Sequence, residues 1–115
     1  MSKLNSIDLT VKDVPAAAQF FQEAVGMTLG VSDERFAELR SGDFVLMLSP
    51  DALVPVQSAA GIILHFEVED VAAMLERAKA QGAAVLLEPL HTDWGTESVM
   101  IQGPEGIVVD FYRKL

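Results

Sequence analysis

At 115 residues the chain has room for one domain, and with 50% hydrophobic and 22% charged residues it can bury a core without covalent staples. Eight Lys and Arg against 17 Asp and Glu leave a formal charge of −9, which repels nucleic-acid phosphates and anionic lipid head groups, so neither is an expected partner. There is no cysteine, which excludes disulfides, thiolate metal sites and a cysteine nucleophile.

Residues 1–12 are polar at alternating positions and lack the apolar core of a secretory leader. Apolar runs such as Phe44–Leu48 are far shorter than the ~18 residues that suggest a membrane span. A cytoplasmic protein is expected. Ile7, Leu9 and Val11 alternate as in a half-buried strand, and Asp13 then offers a helix N-cap with Pro15 in the first turn. Val14, Ala17, Phe20, Phe21 and Ala24 form one apolar helical stripe, with Phe20 and Phe21 expected in the core. Strands follow over Met27–Ser32, Arg35–Arg40 and Phe44–Ser49, the last two joined by a turn at Ser41-Gly42-Asp43. Pro50–Gly61, with Pro50, Pro55, Ser58 and Gly61, reads as a connector.

The pattern then restarts. Ile62, Leu64, Phe66 and Val68 alternate, Asp70 offers a second N-cap, and Val71, Met74, Leu75 and Ala78 make a stripe that Gly82 ends. Strands follow over Ala84–Pro89, Glu97–Gln102 and Ile107–Tyr112, the last two flanking a Gly103-Pro104-Glu105-Gly106 turn. Laid on itself at an offset of 57, residues 7–16 match residues 64–73 with Val, Asp, Val and Ala identical at four positions. The fold class is therefore α+β: two βαβββ repeats, about 4–50 and about 61–113, whose sheets curl around a shared cavity.

Val11-Lys12-Asp13-Val14, Phe20-Phe21-Gln22-Glu23-Ala24-Val25-Gly26-Met27, Trp94-Gly95 and Gly103-Pro104-Glu105-Gly106 carry a resemblance across essentially the whole chain. The chain resembles the vicinal oxygen chelate superfamily of glyoxalases, extradiol dioxygenases, fosfomycin-resistance transferases and bleomycin-binding proteins. The resemblance implies a single domain over residues 1–115 and a homodimer. It also implies that metal-dependent members draw ligands from the first and last strand of each half, which fall here on Ser6, Met47, Ile63 and Asp110. Only Asp110 is a suitable donor, so the chain departs from the metal-dependent pattern and no metal or other cofactor is expected.

Strand parity selects the side chains opposite the helices. In the first half these are Ser6, Asp8, Thr10, Val45, Met47 and Ser49; in the second, Ile63, His65, Glu67, Val108, Asp110 and Tyr112. Asp8, His65, Glu67 and Asp110 offer one imidazole and three carboxylates for acid–base work or for hydrogen bonds to a cation; the plainer reading is that they solvate a wet groove. Asp8, His65 and Asp110 also have the donor types of a displaced metal site. Trp94 either stacks on a flat ligand or anchors its loop to the core, and His91 reads as a loop residue. Met47, Met74 and Met100 are adaptable fillers, Met47 with a pocket wall as its second reading.

The expected ligand-binding residues are Asp8, Thr10, Met47, His65, Glu67, Trp94, Asp110 and Tyr112, with no catalytic assignment. The expected function is metal-independent binding of a small, cationic, antibiotic-like molecule. The rivals are a divalent-metal glyoxalase-like lyase or dioxygenase-related enzyme, a metal-free isomerase, and a dimerisation module. No dinucleotide, Walker or nucleophile-elbow motif is present.

Overall fold

In the computed structural model, residues 2–54, 56 and 60–115 are described; Pro55 and Ser58 of the expected connector lie outside the described residues. The first half runs β1 (Ser6–Thr10), α1 (Val14–Phe20) with a π-helical turn (Phe21–Val25), β2 (Thr28–Ser32), β3 (Ala37–Ser41) and β4 (Phe44–Ser49). The second runs β5 (Ile63–Glu67), α2 (Val71–Ala80), β6 (Val85–His91), β7 (Thr96–Gln102) and β8 (Val108–Lys114), with a 3-10 turn at Pro104–Gly106 before β8. Two βαβββ halves are thus present, each a four-stranded sheet, in the orders β1-β4-β3-β2 and β5-β8-β7-β6. The first and last strands of each half pair in parallel, which a tight hairpin cannot connect; the helix and the intervening hairpin make the crossover.

Both caps form as the sequence implies. Asp13 Oδ1 accepts the Ala16 N–H and Asp70 Oδ1 accepts the Ala73 N–H, each at 3.0 Å. Gly82, at φ +83°, takes the left-handed turn that ends α2. The largest delay in a strand start is at β3: Asp33 Oδ1 accepts the N–H groups of Arg35 (2.8 Å) and Phe36 (2.9 Å), holding them in a side-chain turn, so β3 begins at Ala37 and not at Arg35. Pro89 sits within β6 because β6 is an edge strand and can spare a donor.

The helices cover one face of each sheet. Val14, Ala17 and Phe21 bury with Leu9, Leu39, Leu46 and Leu48; Val71, Leu75 and Ala78 bury with Val99, Ile101, Val109 and Phe111. Phe21 is fully buried while Phe20 is partly buried, meeting it edge to face at 5.4 Å. The halves join on this helix side, where the π turn packs on α2. Arg77 Nε of α2 donates to the Glu23 carbonyl at 2.6 Å, and its Nη2 to the Gln22 carbonyl at 3.4 Å. From the second half, the Glu105 carboxylate accepts the N–H groups of Lys12 (2.7 and 2.9 Å) and Asp13 (2.9 Å). No helix among the described residues is long and apolar enough to cross a membrane.

Candidate functional site

With helices on one face, the opposite face of each sheet carries the polar strand residues. Register sets their neighbours: Asp8 lies beside Met47 on the first sheet, while His65 lies beside Asp110 and Glu67 beside Tyr112 on the second. Across the β7–β8 ladder, Met100 faces Asp110 and Ser98 faces Tyr112. A pocket of about 340 Å³ gathers His65, Asp110, Tyr112, Ser98 and Met100 over the second sheet. Leu87, Leu90 and Trp94 complete its apolar wall, and Thr92 and Thr96 add hydroxyls.

The polar centre of this pocket is a pair. His65 Nδ1 and Asp110 Oδ2 are 2.6 Å apart, with the Asp110 side chain 5% exposed and the His65 side chain 56% exposed. A carboxylate accepts, so Nδ1 is the donor of this contact, and Nε2 has no partner among the described residues. Asp110 Oδ1 is buried and has no hydrogen-bond partner among the described residues. Burying a charged acceptor without a donor is costly, so a ligand N–H or O–H placed there gains more than it would in water. Beside the pair runs a row of hydroxyls: Thr92 Oγ1 to Thr96 Oγ1 at 2.8 Å, and Thr96 Oγ1 to Ser98 Oγ at 3.3 Å.

The other sequence-selected residues are distributed differently. Asp8 is exposed on the first sheet, 3.4 Å from the Ser49 hydroxyl, whose shorter bond goes to the Asp51 carbonyl at 2.7 Å. Thr10 borders a hollow with Pro50 and Asp51. Met47 is partly buried on the same open face as Asp8. Glu67 lies 4.0 Å from Lys114 and lines, with His65, an adjoining concavity that includes Ile7 and Phe44. Trp94 is 77% exposed at the pocket rim, which sets aside the core-anchor reading. His91 ends β6 instead of lying in a loop, and it faces Glu97 at 3.6 Å. Met100, expected as filler, is a pocket wall.

A larger concavity of about 430 Å³ lies between the halves on the helix side, bordered by Asp13, Phe20, Gln102 and Glu105. Its carboxylates are committed to backbone N–H groups, whereas the His65–Asp110 pocket holds the one buried side-chain oxygen without a hydrogen-bond partner among the described residues.

The donor set does not fit a divalent metal. At the positions matching the metal-dependent pattern, Met47 offers a thioether and Ile63 an alkyl group, while Asp110 has one oxygen bound to His65. The displaced set of Asp8, His65 and Asp110 is not assembled within the chain either: among the described residues no three His, Asp or Glu side chains are grouped to hold an ion.

Sequence parity identified the strand residues but missed Leu87, Leu90, Thr92, Thr96 and Ser98. The turn at residues 103–106 carried the signal for Ser98 and Met100: pairing Gln102 with Val108 across it places Met100 against Asp110 and Ser98 against Tyr112.

Two four-stranded βαβββ sheets, joined on their helix sides and each with an open polar face, define a fold whose family is shown by comparison. The profile of the Glyoxalase/Bleomycin resistance protein/Dioxygenase superfamily matches residues 3–111, and the chain belongs to that superfamily. A solved chain described as a conserved domain protein is 40% identical with a TM-score of 0.89, covering 99% of this chain and 100% of that one. TnmS3, an antibiotic binding protein from Streptomyces sp. CB03234, is 26% identical with a TM-score of 0.77, covering 100% of this chain and 98% of its own. The uncharacterized protein YetH of Bacillus subtilis (strain 168) is 24% identical over 103 residues, covering 84% of this chain and 86% of that protein.

Proposed function

We propose that this protein binds a small, flat, largely apolar molecule with a positive charge or strong hydrogen-bond donor, in the second-sheet pocket and without a metal ion. The carrying observation is the His65–Asp110 pair in the lining of a largely apolar pocket, with Oδ1 of Asp110 buried and without a hydrogen-bond partner among the described residues. A cationic N–H would satisfy it, while Trp94 and Tyr112 offer faces for an aromatic body. The net charge of −9 favours the approach of a cation. Likeness to an antibiotic binding protein supports an antibiotic-like ligand. The poor donor set at Met47 and Ile63 supports metal-independence, and the lack of cysteine suits the cytoplasm.

The test is a titration followed by the fluorescence of the single tryptophan, Trp94. A matched series of flat aromatic compounds bearing an amine, a neutral group or a carboxylate would be compared. The amine should bind at least about tenfold tighter than the carboxylate, and Asp110→Asn should remove about that factor, the scale of one charge-assisted hydrogen bond. Equal or tighter binding of the carboxylate rejects the electrostatic assignment. Stoichiometric nickel, zinc, manganese or iron in protein purified without chelators rejects the metal-free reading.

A further inference from the structure

We propose that His65 is a metal-free general base that removes a proton from an activated C–H of a flat carbon acid bound in the pocket, with Asp110 as its positioning residue. This rests on the pocket being a small-molecule site, as above, and adds chemistry to it.

The geometry points there in three ways. First, the 2.6 Å contact from Nδ1 to a carboxylate fixes the tautomer with a lone pair on Nε2 and supplies a counter-charge for the imidazolium that proton uptake creates. Second, no hydroxyl among the described residues hydrogen-bonds the His65 ring, so the pair is not arranged to activate a serine or threonine and Nε2 is open to a proton from the bound molecule. Third, Leu87, Leu90 and Met100 form the adjoining wall, which places a carbon skeleton beside the base, and the hydroxyls of Thr96 and Ser98 can donate to charge that develops on the substrate.

In the step, Nε2 takes the proton and the C–H electron pair moves toward the adjoining electron-withdrawing group. That pair either rests on a carbonyl oxygen as an enolate or expels a leaving group with its bonding pair. The proton later returns to carbon or to water, so the sequence is redox-neutral and needs no co-reactant.

The probe is 5-nitrobenzisoxazole, a flat aromatic carbon acid. Its C3 proton goes to the base, the C–H pair completes a nitrile, and the N–O bond breaks to release a coloured phenolate. Wild-type protein should release phenolate with saturation kinetics, faster than the same concentration of free imidazole. His65→Ala and His65→Gln should lower kcat by about a hundredfold or more, within the usual range for a positioned base. Both variants should still quench Trp94 fluorescence on binding the probe. Asp110→Asn should lower kcat more than it raises KM, and Asp110→Glu should restore part of the loss. Quenching with turnover that survives both His65 variants overturns the base assignment alone, as does a wild-type rate no better than imidazole. Absence of both quenching and turnover overturns the base assignment, while the binding reading stands or falls separately on the amine–carboxylate series.

Discussion

Single residues here differ in how much of their charge is already spent. Asp110 has one oxygen committed to His65 and one uncommitted, which is why it carries the functional proposals. Glu97 shows the opposite condition. Its side chain accepts from Arg113 Nε at 2.7 Å, and that hydrogen bond, reinforced by the charges of Arg113 and His91 against a smaller desolvation effect, holds its carboxyl below the ordinary glutamate value. A carboxyl whose folded pKa is depressed adds stability that is complete above the unfolded value and fades as pH falls through the folded one. Acid unfolding should therefore steepen through the low end of the carboxylate range, and Glu97→Gln should flatten that part of the curve and lower stability at neutral pH by the same modest amount, because the pair lies at the partly exposed surface where solvent screens it. Circular dichroism of both proteins across a pH series checks this, and parallel curves would remove Glu97 from the acid response.

At the scale of elements, the turn before β8 is the most specified. Glu105 stands at φ +52°, a conformation that non-glycine residues seldom adopt, and it does so while its carboxylate holds two backbone N–H groups at the entrance to α1. Glu105→Ala keeps the strain and loses the bonds, and should cost about 1–2 kcal/mol, the range of charge-assisted bonds at a helix start. Glu105→Gly loses the same bonds but relaxes the backbone, and should recover about 1 kcal/mol of that loss. Denaturant midpoints of the two variants measure the difference, and equal midpoints would show that the positive φ carries no penalty. The sequence identified this segment as a turn from its Gly-Pro-Glu-Gly composition, because glycine and proline act locally. It did not reveal the clamp, since Lys12 and Glu105 are 93 residues apart and nothing in either side chain marks a backbone N–H as the target.

The same division governs the site. His65, Asp110 and Tyr112 were legible because strand parity needs only the chain's own alternation, and β5 and β8 follow it. That Asp8 lies apart from the pair was not legible, because parity states which face a side chain occupies and not which sheet lies across from it; Glu67 shares the sheet and face of His65 and lines the adjoining concavity. The Thr92–Thr96 hydroxyl contact spans the end of the β6–β7 hairpin and depends on the three-dimensional path of that turn.

For the whole molecule, shape is the informative quantity. The chain measures 40 × 39 × 25 Å with a radius of gyration of 14.3 Å, above the roughly 13 Å of a compact chain of this length. The excess comes from two sheets covered on one face only. Ile63, 46% exposed, and Leu90, 48% exposed, are among the large apolar side chains that remain in water. A second copy of the chain laid on these faces would cover them, and a homodimer with the His65–Asp110 pocket at its interface is proposed on that basis. Sedimentation equilibrium at micromolar concentration should return twice the chain mass of 12.4 kDa, and a monomer there would reject the proposal.

The joint between the halves has an evolutionary consequence. Arg77 and Glu105 give their side chains, but what they grip at residues 12, 13, 22 and 23 is peptide backbone. Replacing Gln22 or Glu23 leaves their carbonyls in place, and only proline at 12 or 13 would delete a donor. The polar part of the joint thus tolerates side-chain change at these four positions in one copy, while in the other it depends on keeping Arg77 and Glu105.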